Sequence, residues 1–159
     1  MAKLVVLRGP SGAGKTTVAR AVADATTRAV AVVDRDEYMF MFNRWPDAPD
    51  QELIRLMILF CLDRGIDVVF EGNFKAETHR ALLEDLFVAH PDDNFIFYLD
   101  VSLEETIRRH RGRRERLSEE RMRELFPTTT PLHDPEEVVI PESASLEQAV
   151  RIIMDAAHL

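Results

Sequence analysis

An eight-residue stretch near the N-terminus constrains the fold of this chain more than any other feature. Residues 9–16 read Gly-Pro-Ser-Gly-Ala-Gly-Lys-Thr and fit the pattern G-x-x-x-x-G-K-[ST]. The apolar run 4–7 before them is typical of a buried strand, and residues 16–25 carry apolar side chains at helical spacing. A strand, a glycine-rich loop and a helix in this order direct backbone N–H groups at a phosphate. The sequence therefore predicts a nucleoside triphosphate site.

The residues of this phosphate loop have distinct predicted roles. Gly12 and Gly14 tolerate positive φ and let the backbone approach a phosphate closely. Lys15 adds a full positive charge, and the Thr16 hydroxyl is expected to ligate Mg²⁺. We therefore expect ATP and Mg²⁺ as cofactors. The predicted nucleotide-binding residues are Gly9, Pro10, Ser11, Gly12, Ala13, Gly14, Lys15, Thr16 and Thr17.

Composition indicates one globular domain spanning residues 1–159. A chain of 159 residues with 46% hydrophobic residues can build a proper core. No segment approaches the roughly 20 consecutive apolar residues of a membrane span. A predicted strand begins within the first few residues and leaves no room for a signal peptide. We therefore expect a cytoplasmic protein.

Net charge, the single cysteine and the histidine spacing limit which macromolecules and metals the protein is expected to bind. The net charge of −8 argues against nucleic acid and anionic membranes as partners. Cys61 is the only cysteine and lies in an apolar run, so we expect a buried side chain rather than a reactive one. The five histidines show no metal-ligand spacing, which indicates that a metal arrives with the nucleotide. The sequence carries no signal for an oligomeric state.

Two acidic residues follow the second predicted strand. The β-branched run 29–33 leads directly into Asp34, Arg35 and Asp36. In open α/β sheets the carboxyl ends of the strands form the ligand-binding edge, so both carboxylates are expected beside the phosphate loop. Phosphoryl transfer uses one carboxylate near Mg²⁺ and one that accepts a hydroxyl proton. Capping of the next helix is the alternative role for either residue.

The phosphate loop and the segment containing Asp34, Arg35, Asp36 and Tyr38 together resemble the small P-loop kinases. This group includes AAA_33 proteins, shikimate kinase, gluconate kinase, zeta toxins and polynucleotide kinases. By likeness to shikimate kinase, Asp34 holds magnesium through water and Asp36 meets the acceptor hydroxyl. The pattern Arg35-Asp36-x-Tyr38 is also similar to phage polynucleotide kinases, whose aspartate at this position is the proposed base.

The resemblance covers nearly the whole chain and implies a complete fold. That fold is a three-layer α/β P-loop NTPase with a five-stranded parallel sheet of order 2-3-1-4-5 and helices on both faces. The resemblance also implies that residues 141–143 lie near the adenine. Gly72, Asn73 and Phe74 stand where shikimate kinase has a glycine triplet, and this difference argues against shikimate as the acceptor.

The rest of the chain alternates between predicted strands and helices. Asp50 is a candidate N-cap and Gly65 a candidate C-terminal glycine for one helix, and Ser102 and Ser145 each open a capping-box pattern. The further predicted strands are 67–71, 95–99 and 137–140, and the predicted helices are 51–64, 77–90, 103 to about 111, 119–126 and 146–157.

Two further features lie near the predicted ligand edge. Glu71 ends the third predicted strand, and we expect it either to contact magnesium-bound water or the acceptor, or to serve as a turn residue. Residues 38–49 are rich in aromatic side chains and methionine. They are expected either to wall the acceptor site or to pack in the core, and Arg44 is a candidate contact for an anionic acceptor.

A cluster of arginines follows the fourth predicted strand. Six arginines within nine positions repel one another by Coulomb's law unless an anion is present. The kinase resemblance implies a lid at about residues 109–130 that brings arginines over the transferring phosphoryl group. Arg109 and Arg113 are the first candidates, followed by Arg116. The whole cluster comprises Arg108, Arg109, Arg111, Arg113, Arg114 and Arg116.

These observations predict a kinase that transfers the γ-phosphoryl group of ATP to a hydroxyl of a small-molecule acceptor. The expected catalytic residues are Lys15, Asp36, Arg109 and Arg113, with Thr16 and Asp34 at the metal. Two alternatives remain open. One is a 5′-hydroxyl polynucleotide kinase, and the other is a nucleotide-binding switch that hydrolyses ATP slowly.

Overall fold

A five-stranded parallel sheet forms the centre of the computed structural model. The structure describes residues 1–42, 49–111, 117–132 and 136–159. The strand order β2-β3-β1-β4-β5 is the order that the sequence predicted, with every neighbouring pair parallel. The predicted fold class is therefore confirmed. The strands are β1 (Leu4–Arg8), β2 (Val30–Asp34), β3 (Asp67–Gly72), β4 (Asn94–Asp100) and β5 (Glu137–Pro141).

Helices cover both faces of the sheet. Apolar residues of α1 and α7 form one core with Val5 and Leu7 of β1. Those of α3 and α4 form the other core with Leu4 and Val6. The helices in the described ranges are α1 (Lys15–Ala25), α2 (Arg35–Met41), α3 (Asp50–Leu62), α4 (Ala76–Ala89), α5 (Leu103–His110), α6 (Glu119–Leu125) and α7 (Leu146–Ala157), with a short 3₁₀ turn at Phe126–Thr128.

Strand β1 is apolar at successive positions because alternate side chains enter opposite cores. Leu4, Val5, Val6 and Leu7 are each at most 1% exposed. Complete burial of a valine or leucine side chain stabilises the fold by roughly 1.5–3 kcal/mol. The strand that leads into the phosphate loop is therefore held firmly from both sides.

Helix ends follow the sequence signals in most places. Ser145 and Gln148 make both bonds of the predicted capping box of α7, and Gly65 has the positive φ of 74° expected after α3. The predicted N-cap Asp50 is wrong, because Pro49 occupies the cap position and Asp50 is the first helical residue. Its carboxylate still lies in the first turn, where the helix dipole favours negative charge.

One local prediction near the site also needs correction. Ser102 caps α5 by accepting from Glu105 N (3.3 Å), but Ser102 N donates to Glu142 Oε2 (2.9 Å) instead of completing a capping box with Glu105. Strand β2 runs without a loop into α2, which begins at Arg35. Within the described ranges, no helix is long and apolar enough to span a membrane.

Candidate active site

The phosphate loop between β1 and α1 has a backbone that only glycine tolerates at its turning points. Gly9, Gly12 and Gly14 have φ of 149°, 85° and 100°. A Cβ on Gly12 would lie 2.9 Å from Thr106 O, and one on Gly9 would lie 3.0 Å from Leu99 O. Gly14 is also the N-cap of α1 and provides no side-chain cap. The first N–H groups of α1 are therefore available to an anion in the loop.

Lys15 and Thr16 begin α1 at the concave side of this loop. The Lys15 side chain is buried, and its Nζ donates to Pro10 O across 3.0 Å. Its charge is thus held within the loop. Thr16 Oγ1 donates to Glu71 Oε1 across 2.5 Å, which connects the loop to the end of β3.

Three carboxylates gather at the carboxyl edge beside the loop. Asp34 and Glu71 are register partners at the ends of β2 and β3. Asp34 Oδ1 accepts from Asp36 N (2.9 Å), so Asp34 caps α2 while it also lies on the predicted edge. The Asp36 side chain is 47% exposed and pairs with Arg35 Nη1 at 3.3 Å. The capping role and the edge position therefore coexist in Asp34.

Burial changes the acidity of two of these carboxylates. Desolvation raises the pKa of Glu71 to about 7, although Lys15 and the Thr16 hydroxyl oppose the rise. Desolvation likewise raises the pKa of Asp34. Buried carboxylates of raised pKa gain from a nearby cation, and Mg²⁺ prefers oxygen donors. Thr16, Asp34 and Glu71 therefore carry oxygen donors of the kind that Mg²⁺ prefers, and a magnesium ion at this edge stays a prediction.

Arg109 on α5 lies against the phosphate loop. Its Nη1 donates to Ala13 O across 3.0 Å, and its Nε donates to Glu105 Oε1 across 2.7 Å. Glu105 also accepts from Arg108, and these two arginines lower the pKa of Glu105 to about 2. Glu105 therefore fixes the Arg109 guanidinium next to the loop.

The predicted repulsion within the arginine cluster is wrong for its described members. Arg108 and Arg109 pair with Glu105, and Arg111 pairs with Glu119 at 2.8 Å. Acidic side chains from α5 and α6 thus compensate these charges without a bound anion. The lid candidates Arg113 and Arg116, together with Arg114, lie outside the described residues.

A pocket of about 330 Å³ opens beside the loop. Leu99, Ile140 and Pro141 supply apolar walls, while Thr17 and Arg109 supply polar groups. Pro141 and Glu142 in the turn after β5 line the same pocket as Ala13 and Gly14 of the loop. That the adenine binds near residues 141–143 stays a prediction of the resemblance. An apolar pocket with a few polar groups is typical of a site for a small molecule or cofactor.

On the other side of Glu71, the turn after β3 is tightly packed. A Cβ on Gly72 would lie 2.9 Å from Arg35 Cβ and 3.1 Å from the Phe74 ring. His79 meets the Phe74 ring edge-on at 5.7 Å, and burial lowers the pKa of His79 to about 4. A neutral imidazole and a largely buried arginine therefore lie beside the acidic edge.

The structure describes part of the predicted aromatic wall. Tyr38 packs against the core of α3 and α4, and its hydroxyl contacts Met57 Sδ at 2.6 Å. This contact fits the core-packing alternative for that residue. Residues 43–48, which include the candidate Arg44, lie outside the described part of the chain.

Sequence reasoning missed three acidic or basic residues that shape the site. Glu105 stands four residues before Arg109 on a helix, a spacing that could have indicated the pair. Glu142 lines the pocket, and no sequence signal distinguishes it. Arg8 ends an apolar strand and is 1% exposed. The sequence signal for its burial was a charged residue that continues an apolar run directly before the loop.

Fold and site together define the class of this protein. It has a phosphate loop between β1 and α1 on a parallel sheet of order β2-β3-β1-β4-β5, which is the arrangement of P-loop nucleotide-binding proteins. The chain belongs to the AAA_33 family, described as an AAA domain, whose model matches residues 4–125. No curated protein sequence matches the chain.

Solved structures with this fold include several kinases. A sugar kinase from Janibacter sp. HTCC2649 has a TM-score of 0.77 at 22% identity, covering 98% of this chain and 94% of that chain. APS kinase CysC from Mycobacterium tuberculosis, in complex with AMPPNP and APS, has a TM-score of 0.78 at 20% identity, covering 99% and 98%. Shikimate kinase from Acinetobacter baumannii, in complex with shikimate, has a TM-score of 0.61 at 19% identity, covering 99% and 94%. Together with the family match, they confirm the predicted resemblance to the small P-loop kinase group.

Proposed function

We propose that this chain transfers the γ-phosphoryl group of ATP to a hydroxyl group of a small-molecule acceptor. One observation carries the proposal: the phosphate loop and the carboxylates that end β2 and β3 meet at one edge, joined by the bond from Thr16 to Glu71. The fold is shared with proteins described as sugar, APS and shikimate kinases. Phosphoryl transfer rests mainly on positioning and electrostatics, which such an edge provides.

The phosphate loop and its lysine bind the nucleotide. The loop N–H groups and Lys15 hold the β- and γ-phosphates, and the pocket beside Pro141 holds the base. Arg109 reaches both the loop and this pocket, so it contacts the nucleotide along its length. Mg²⁺ bound with ATP would supply positive charge that offsets the charge of the phosphates. Thr16 would hold that ion directly and Asp34 would hold it through water, while Glu71 orients Thr16.

The acceptor reacts on the side of Asp36. Its hydroxyl oxygen forms the new bond to the γ-phosphorus while the bond from that phosphorus to the β,γ-bridging oxygen breaks, leaving ADP. The hydroxyl proton passes to the Asp36 carboxylate, which is partly exposed and therefore accessible to an incoming acceptor. Arg113, from the predicted lid, offsets charge on the transferred group.

A screen for ADP release tests this function. The purified chain is incubated with Mg²⁺, ATP and a panel of sugars, nucleosides and aminoglycoside-like compounds, and the Lys15→Ala variant is the control. The proposal expects acceptor-dependent ADP release together with one phosphorylated product in mass spectrometry. Release that no member of the panel stimulates would contradict it.

Two additional arms separate the alternatives. A 5′-hydroxyl oligonucleotide that is phosphorylated, with affinity that falls steeply as salt rises, would indicate a polynucleotide kinase. ATP-dependent capture of another protein without a phosphorylated product would indicate a nucleotide-binding switch. Either result would contradict the proposal of a small-molecule acceptor and would support the corresponding alternative function.

A further inference from the structure

Arg8 is a fully buried arginine at the last position of β1, directly before the phosphate loop. Its side chain is 1% exposed and forms an ion pair with Glu137, which is equally buried. Its guanidinium also lies over the Tyr98 ring, 5.6 Å from the ring centroid. Charged side chains are rarely buried to this extent in proteins, so this arginine requires an explanation.

The contacts of Arg8 reach two separate segments of backbone. Its Nη2 donates to Phe74 O (3.3 Å) in the turn after β3 and to Thr130 O (3.1 Å). Thr130 belongs to residues 126–132, which follow α6 and which we name the return segment. Arg8 thus connects the phosphate-loop strand, the turn after β3 and the return segment through one planar group.

Further side chains secure the return segment to the same face of the sheet. Tyr98 donates to Thr129 O across 2.9 Å, and Glu137 Oε2 accepts from Leu132 N across 2.5 Å. The Thr129 hydroxyl contacts Asn73 Oδ1 in the turn after β3. The return segment therefore lies beside the turn that follows Glu71.

Stability alone does not explain this arrangement. A buried ion pair is often no more stabilising than two apolar side chains of similar volume. In addition, Arg8 Nε has no hydrogen-bond partner among the residues that the structure describes. An unpaired buried donor is costly. What the arginine adds, and an apolar residue cannot, is the pair of hydrogen bonds from Nη2 to two carbonyl groups.

We propose that Arg8 is a positioning residue that fixes the return segment and the turn after β3 relative to the phosphate loop, and thereby sets the acceptor side of the site. The inference rests on the proposed function, because it concerns the geometry at which phosphoryl transfer takes place. Arg8 acts through the backbone groups of Phe74 and Thr130 and does not itself touch ATP or acceptor.

The central test is the double substitution Arg8→Met with Glu137→Gln, whose amide oxygen can still accept from Leu132 N. It removes both charges together, so no unpaired charge stays buried, and it fills a similar volume. Arg8→Lys is the conservative variant, which keeps the charge beside Glu137 but not the planar fork. The control is Arg28→Met with Asp67→Asn, an ion pair at the opposite edge of the sheet, whose asparagine can still accept from Lys3 N.

Two measurements read out the role. Hydrogen exchange of peptides spanning 126–132 reports whether the return segment is held. The site is assessed by the affinity for Mg²⁺–AMPPNP and by kcat and KM for ADP release. ADP release is measured with the acceptor found in the screen or, if none is found, with water as the acceptor. For the double variant we expect at least about tenfold faster exchange at 126–132. We also expect nucleotide affinity within about threefold of wild type and ADP release altered by about tenfold or more.

The outcomes separate this inference from the proposed function. A folded double variant with unchanged exchange at 126–132, or with unchanged ADP release, would overturn the positioning role, as would full activity in Arg8→Lys. The control pair should leave both readouts at wild-type values, and an equal effect there would make Arg8 merely structural. If wild type binds Mg²⁺–AMPPNP but releases no ADP, the proposed function fails. The exchange comparison then still decides whether Arg8 holds the return segment.

Discussion

Thr16 Oγ1 donates a hydrogen bond to Glu71 Oε1 across 2.5 Å, joining the first turn of α1 to the end of β3. A threonine hydroxyl has one proton to donate and two lone pairs that accept. Because the proton is directed at Glu71, the lone pairs of Thr16 remain available to a cation. The bond therefore orients Thr16 for the metal role that the phosphate-loop pattern predicts.

Glu71 should give the stability of the protein a distinct pH dependence. Its pKa is about 7 in the folded chain against an ordinary value of 4.5, so the folded state binds more protons between these values. The stability that Glu71 contributes is complete below pH 4.5 and is lost as the pH rises through 7. Without nucleotide or metal, the melting temperature of wild type should therefore fall relative to that of Glu71→Gln between pH 5 and pH 8. Thermal unfolding of both proteins, repeated at intervals of about one pH unit, measures this difference. Glu52→Gln on the exposed face of α3 is the control, and a pH-independent difference for Glu71→Gln would contradict the assignment.

Lys15→Ala should abolish ATP turnover and weaken nucleotide binding, because it removes the buried charge that the loop holds near Pro10 O. Charge-assisted bonds to phosphate contribute about 1.5–3 kcal/mol, so affinity should fall at least about tenfold. Isothermal titration with Mg²⁺–ATP measures this loss. Arg20→Ala removes a positive charge from the exposed face of the same helix and should change nothing. Normal affinity in Lys15→Ala would rule out the site.

Asp36→Asn should leave ATP binding intact and slow phosphoryl transfer by about 10²-fold or more if this carboxylate receives the hydroxyl proton. The amide keeps the size of the side chain and removes its basicity. Comparison of kcat with the affinity for Mg²⁺–AMPPNP separates the two effects. The neighbouring exposed Glu37→Gln is the matched control. Equal losses of binding and turnover in Asp36→Asn would instead indicate a structural role.

Arg109→Ala should raise the KM for ATP by about tenfold, because it removes the guanidinium that bonds to Ala13 O and lines the pocket beside the loop. Arg108→Ala loses a bond to the same Glu105 from an exposed position, which makes it a close control. Steady-state kinetics at varied ATP gives the comparison. Equal KM values for the two variants would remove Arg109 from the nucleotide site.

Gly12→Ala should destabilise the chain and eliminate nucleotide binding. The new Cβ would sit 2.9 Å from Thr106 O at a φ of 85°. Gly65→Ala is matched in backbone, with a φ of 74° and no atom within 4 Å of its Cβ. That control should cost only the ~1–2 kcal/mol of left-handed strain and keep its ATP affinity. Chemical denaturation with nucleotide titration distinguishes the two, and equal destabilisation would show that the loop can relax.

The local signals of the sequence predicted the strands of the sheet and, within the candidate site, the phosphate loop. The phosphate loop is recognisable because its conformation depends on glycines and a lysine within one short stretch of sequence. Hydrophobic runs located the strands within one or two residues. The strand order came from the kinase resemblance, which rests on the loop and the Asp34-to-Tyr38 segment. Which strands pair with each other cannot be read from local sequence patterns, because the paired residues are far apart in the chain.

The features that prediction missed depend on contacts between distant residues. Arg111 pairs with Glu119 of α6, eight positions further along the chain, a partner that a count of positive charges could not reveal. Arg8 is charged, and charged residues are ordinarily read as solvent-exposed.

The central place of β1 has a consequence for the newly made protein. This strand leaves the ribosome before the other four, but its two neighbours are β3 and β4, which end at residues 72 and 100. Until the second of these emerges, one side of β1 exposes unpaired backbone groups, and slow non-local pairing of this kind leaves a chain open to aggregation. A nascent chain that ends before β4 would contain the complete nucleotide motif and still lack one of the two strands that flank β1.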